Sequence, residues 1–193
     1  MQSIEFSDIK ITGGYWKTRQ DINSEVTLKS VYERFRGTHR FDALKCDWKD
    51  GEPDMPHIFW DSDVAKWLEG AAYILNSKDE ESIAEIIENA IDCIIENSDE
   101  NGYFNSHYLV TEKNNRFRNR DCHELYCAGH LFEAAVAYYE ITGKDRLLKA
   151  MCKFADYIEK VFKIEKSAAF TTPGHPEIEL ALMRLYKATG EKR

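Results

Sequence analysis

Basic charge is in short supply in this 193-residue chain: 26 Lys and Arg stand against 34 Asp and Glu, a formal net charge of −8. Nucleic acid and anionic membrane both require a clustered basic surface, so neither is expected as a partner. The start, Met1-Gln2-Ser3-Ile4-Glu5-Phe6, has no basic flank and no apolar run, so neither a signal peptide nor a membrane span is expected. Five cysteines, odd in number and irregularly spaced, argue against a disulfide framework and for reduced thiols in the cytoplasm. What is present is a core: 43% hydrophobic and 12% aromatic residues exclude disorder and suit one domain or part of a larger one.

Residues 121–143 organise the rest. Leu125, Ala128, Leu131, Phe132, Ala135, Tyr138 and Tyr139 recur at helical spacing, and Gly143 supplies a C-terminal stop. Further helices are expected from Tyr15 to Arg36, from Val64 onward, from the Ser82-Ile83-Ala84-Glu85 capping box, from Leu147 to Phe162, and after Pro176. Asp61, Ser62 and Asp63 fall in the first turn of the second of these, where capping accounts for at least one of the acids. Residues 4–11 alternate loosely and end in Thr12-Gly13-Gly14, which predicts a short strand and turn. Trp48, in an irregular stretch over residues 38–56, is expected to be a local packing anchor.

Tyr139-Glu140-Ile141-Thr142-Gly143 and Tyr186-Lys187-Ala188-Thr189-Gly190 share the pattern Tyr-x-x-Thr-Gly at a period of 47 residues. Such a repeat of helical hairpins predicts an all-α solenoid or an incomplete α/α toroid, roughly half of a six-hairpin barrel, with a short N-terminal β segment. The final copy lacks its second helix, so the chain is expected to be the front part of something longer.

His123, Cys127 and His130 share a helical face and could bind zinc, and Cys122 or Cys127 could pair with a histidine as a nucleophile. Asp61, Asp63 and Glu124 could supply paired carboxylates for glycoside hydrolysis. His57, His123 and His175 each sit at a loop-to-helix junction beside Trp60, Tyr126 or Pro176. In a toroid those junctions gather at one rim, where imidazoles, aromatics and carboxylates suit a neutral sugar.

The strings from His57 to Trp67, Asn101-Gly102-Tyr103, His123 to His130, Gly174 to Glu179, and the opening Ile11-Thr12-Gly13-Gly14-Tyr15-Trp16 together resemble the N-terminal part of the β-L-arabinofuranosidase family of glycoside hydrolases (family 127). The resemblance spans essentially the whole chain. It implies that residues 1–193 are the N-terminal portion of a toroidal catalytic domain. It also implies retaining hydrolysis of non-reducing terminal β-L-arabinofuranosyl residues by a zinc-bound cysteine nucleophile and a glutamate acid/base. Those groups are expected beyond residue 193, so no catalytic residue, metal ligand or cofactor is assigned here, zinc belonging to full-length members, and the chain alone is expected to be inactive. Substrate contact is what the resemblance carries over: His123 and His175 as hydroxyl ligands, with Glu124, Asp61, Trp60 and His57 on the same pocket. Val31 departs from the polar Gln expected before Tyr32, which bears on sugar specificity. A neutral sugar or arabinoside is the expected partner, and an open end invites self-association or a missing C-terminal half. The competing expectation is a standalone helical-repeat module that binds carbohydrate without catalysis.

Overall fold

The computed structural model describes residues 4, 6–78 and 80–192, so the readings of Met1 to Ser3 and Glu5 at the start and of Arg193 at the end lie outside the described residues. Among the described residues eight α-helices follow in order: α1 (Gly14–Ile22), α2 (Leu28–Gly37), α3 (Trp60–Leu75), α4 (Glu81–Asn97), α5 (Ser106–Val110), α6 (Glu124–Thr142), α7 (Arg146–Glu159) and α8 (Glu177–Thr189). A π turn, Asn23–Thr27, joins α1 to α2, so the segment expected from Tyr15 to Arg36 is nearly continuous helix.

Side-chain spacing explains the layers. α3, α6 and α8 lie side by side, with α6 in the middle. α4 packs behind α3, and α7 behind α6, as the second members of two hairpins. Ile83, Ile87, Ile91 and Ile94 give α4 one buried stripe, and Leu147, Met151, Phe154 and Ile158 give α7 another. α6 is buried nearly all round because its neighbours cover more than the single stripe that its spacing predicts. Trp67 Nε1 donates to Leu28 O at 2.9 Å, tying α3 to α2 inside an aromatic group with Tyr32 and Phe41. The outcome is the all-α, two-layer arc expected of an incomplete α/α toroid, and among the described residues no helix is long and apolar enough to cross a membrane.

Three local expectations are corrected. The strand over residues 4–11 does not form: among the described residues there is no strand, and Phe6–Asp8 is a 3-10 turn. A lone strand has no neighbouring edge to pair with here. The capping box at Ser82 is not made, since the N-cap of α4 is Glu80, two residues earlier, and Ser82 lies inside the helix. Neither Asp61 nor Asp63 caps α3, whose N-cap is Phe59 without a side-chain bond. Asp61 instead reaches across to α5 and accepts from the Ser106 N–H at 2.7 Å. Trp48 is the expected local anchor, its Nε1 shared by the Glu52 and Pro53 carbonyls at 3.1 Å each.

One charged group locks the inner layer. Arg184 of α8 donates to Glu69 of α3 at 3.0 Å, to the Tyr73 hydroxyl at 2.8 Å and to Glu133 of α6, with Glu140 Oε2 at 3.9 Å. Glu133 is buried, and its burial raises its pKa against the pull of Arg184.

Candidate functional site

The N-termini of α3 and α6 and the loop entering α8 meet at one rim of the inner layer, around a cavity of about 350 Å³. Its wall is Phe59, Ser62, Asp63 and Lys66 from α3, His123 and Tyr126 from α6, and His175 from the loop. The stretch His57-Ile58-Phe59-Trp60-Asp61-Ser62-Asp63 thus contributes through spacing: residues 59, 62, 63 and 66 fall on one helical face.

Two imidazoles face each other with ring centroids 6.5 Å apart and are held in opposite tautomers. His123 Nδ1 lies 3.2 Å from the Arg120 carbonyl, which only accepts, so Nδ1 carries the proton and Nε2 is an acceptor. His175 Nδ1 accepts from the Glu177 N–H at 3.1 Å, so its Nε2–H is a donor. His123 adopts φ 57° in the left-handed region, where a non-glycine residue is strained, and strain of this kind concentrates at functional sites.

Tyr126 forms the floor, its ring 4.9 Å from that of His175 and 4.5 Å from that of His130. Lys66 Nζ donates to the Tyr126 hydroxyl at 3.1 Å and lies 3.6 Å from Asp63 Oδ1. Asp63 Oδ2 accepts from Arg40 Nε at 2.9 Å, so its charge is already matched. Beneath, His130 Nδ1 lies 3.3 Å from Glu177 Oε1. Burial first, then Lys66 and His175, push the His130 pKa down to about 4, and it is neutral at ordinary pH.

Of the six residues singled out in the sequence, His123 and His175 line the cavity together. Glu124 points into the protein, accepting from the Tyr103 hydroxyl at 2.6 Å and the Phe117 N–H at 2.5 Å. Asp61 is buried against α5 as described. Trp60 stacks on the Arg40 guanidinium at 5.5 Å, outside the wall, and His57 is an exposed neighbour of Phe59 at 5.3 Å. Phe59, Lys66 and Tyr126 were not singled out as contacts, although helical spacing from Asp63 and His123 would have found them.

The alternative chemistries do not assemble. Cys127 Sγ donates to the Ile58 carbonyl at 3.2 Å, and burial raises its thiol pKa far above the usual range, which suits a structural role. Among the described residues no three His, Cys, Asp or Glu side chains gather to hold a metal ion. Of Asp61, Asp63 and Glu124, only Asp63 reaches the cavity.

Gly174 sets the distance between the two imidazole segments. A Cβ there would lie 2.6 Å from Arg120 O and 3.0 Å from His123 Cε1, so Gly174→Ala must displace one strand of the rim. The expected result is a shift of the His123 and His175 ring signals in a histidine-selective NMR spectrum with unchanged far-ultraviolet circular dichroism. Unmoved ring signals would contradict the packing described.

A sequence profile described as "Beta-L-arabinofuranosidase, GH127 catalytic domain" matches residues 8–193. A curated relative, the non-reducing end β-L-arabinofuranosidase of Bifidobacterium longum subsp. longum, is 39% identical over 141 residues, covering 70% of this chain and 21% of the relative. A solved family-127 β-L-arabinofuranosidase from Geobacillus stearothermophilus T6 aligns with a TM-score of 0.88 at 37% identity, over 95% of this chain and 30% of that one. A second solved β-arabinofuranosidase of family 127 aligns with a TM-score of 0.86 at 26% identity, over 98% of this chain and 32% of that one. The chain therefore spans about a fifth to a third of the length of these relatives.

Proposed function

Because the chain belongs to the family of glycoside hydrolase family 127 β-L-arabinofuranosidase catalytic domains, we propose that it forms the sugar-holding wall of such an active site, as the N-terminal portion of the toroid. The substrate on this reading is a non-reducing terminal β-L-arabinofuranosyl residue, hydrolysed with retention. The observation that carries it is the pair of imidazoles in opposite tautomers across a small aromatic-lined cavity. His123 Nε2 accepts from one sugar hydroxyl, His175 Nε2–H donates to another, and the Phe59 and Tyr126 rings cover C–H surface.

The same wall supports a division of labour. Its one carboxylate, Asp63, is paired with Arg40, and the acids Asp61 and Glu124 are buried away from the cavity. Nucleophile, acid/base and zinc are accordingly assigned to parts of the active site outside residues 1–193. The matched charge of Asp63 also favours the second reading, a carbohydrate-binding helical module without catalysis. The odd number and irregular spacing of the five cysteines are in keeping with a reducing, cytoplasmic setting.

The test is titration with methyl β-L-arabinofuranoside, followed by ligand-observed NMR. His123→Ala and His175→Ala should each weaken binding at least about tenfold, the loss of roughly one buried hydrogen bond. Equal binding by both variants and the parent would sink the reading. Release of arabinose by the 193-residue chain itself would overturn the division of labour while leaving the binding wall intact.

A further inference from the structure

Two imidazoles of this rim, His175 and His130, meet the same residue through different atoms. The first turn of α8 rests on α6 at Gly129, where a Cβ would lie 2.8 Å from Glu177 Cγ and 3.1 Å from the Ile178 N. The missing side chain admits Glu177 to the space beside α6, between the two rings. Its backbone N–H donates to His175 Nδ1 at 3.1 Å, and its Oε1 stands 3.3 Å from His130 Nδ1. The side chains of Glu177 and His130 are both largely buried, and neither lines the cavity.

The proton on His130 follows from that placement. Burial keeps the ring neutral, so one of its nitrogens carries the proton, and the partner it faces decides which. Glu177 Oε1 accepts, so Nδ1 is the protonated atom. Nδ1 is buried and makes no hydrogen bond to any other atom among the described residues, which leaves that carboxylate as its partner. His130 in turn stands edge-on to the Tyr126 ring at 88°, and Tyr126 stands edge-on to His175 at 75°. The chain of contacts from Glu177 thus returns to the cavity through Tyr126.

We propose that Glu177 is a positioning residue for the sugar wall: its carboxylate fixes His130 as the Nδ1–H tautomer, and His130 holds the Tyr126 ring against His175. The role rests on the sugar-binding reading above and adds to it a side chain that does not touch the sugar. His175 has its own polarity set by the main chain of the same residue, so side-chain variants at Glu177 separate the two effects.

Long-range proton–nitrogen NMR of the isotope-labelled chain reports which ring nitrogen is protonated, and titration with methyl β-L-arabinofuranoside reports binding. The parent should show His130 as Nδ1–H. Glu177→Met removes the acceptor at similar size; it should move the His130 proton to Nε2, leave His175 as Nε2–H, and weaken binding at least about threefold, the loss of roughly one net hydrogen bond. Glu177→Gln keeps an acceptor oxygen and should restore both the tautomer and the affinity. An Nε2–H His130 in the parent overturns the proposal without any variant, as does a Glu177→Met chain that binds as the parent does. A parent that binds no sugar fells the sugar-wall reading, and this role with it; an Nδ1–H His130 in that same sample would show that the Glu177 pairing itself was not at fault.

Discussion

Arg184→Leu is expected to lower the unfolding free energy by about 3–5 kcal/mol, because it leaves the buried Glu133 carboxylate without its cation. In a domain of this size that corresponds to a fall in Tm of about 10 °C. Two helices lose their common partner on α8 at once, since the Arg184 guanidinium holds Glu69 and Tyr73 of α3 as well as Glu133 of α6. The double variant Arg184→Leu with Glu133→Leu should recover most of the loss, as apolar replacement of both members of a buried pair is often neutral. Calorimetry on the parent, single and double variants checks this; a single-variant loss below about 1 kcal/mol would show the cluster to be a surface network.

Glu124→Gln should change how stability depends on pH. Burial raises the Glu124 pKa from 4.5 to about 7, against the opposing pull of the Tyr103 hydroxyl, the Phe117 N–H and Arg116. The folded state therefore holds this proton more tightly than the unfolded chain, and stability declines as pH rises from about 4.5 to about 7. The decline reaches about 3 kcal/mol for this group alone. Asp61, raised by burial from 3.8 to about 6, acts in the same direction over a lower window. A glutamine can accept from the Phe117 N–H and donate to the Tyr103 oxygen, keeping the contacts without the ionisation. In urea titrations the variant should lose less stability than the parent across this window and overtake it above neutrality. Parallel curves would mean that Glu124 does not titrate there.

The helices were legible because their apolar residues repeat at 3.6, and the 47-residue Tyr-x-x-Thr-Gly period announced the hairpin architecture. His123 and His175 were legible as neighbours at one rim because both stand at loop-to-helix junctions. Glu124 and Asp61 stand one or two positions from cavity residues, and on a helix that is a rotation of about 100° per residue. Each is carried from the wall into the core, a turn that proximity in sequence conceals. The Arg184 cluster was illegible for another reason: its partners lie 115 and 51 residues away, on helices whose charges have no local spacing that relates them. The N-terminal strand failed because alternation describes only a segment, while a strand also needs an edge to join.

His123, the imidazole with its backbone at φ 57°, makes one position serve two opposing demands. Glycine would relax the turn into α6, whereas histidine gives the cavity an imidazole Nε2 acceptor. Under the proposed sugar-binding reading, a glycine here would trade the wall's imidazole for an easier turn, so a chain that keeps histidine at this position accepts backbone strain to hold that ring in the cavity.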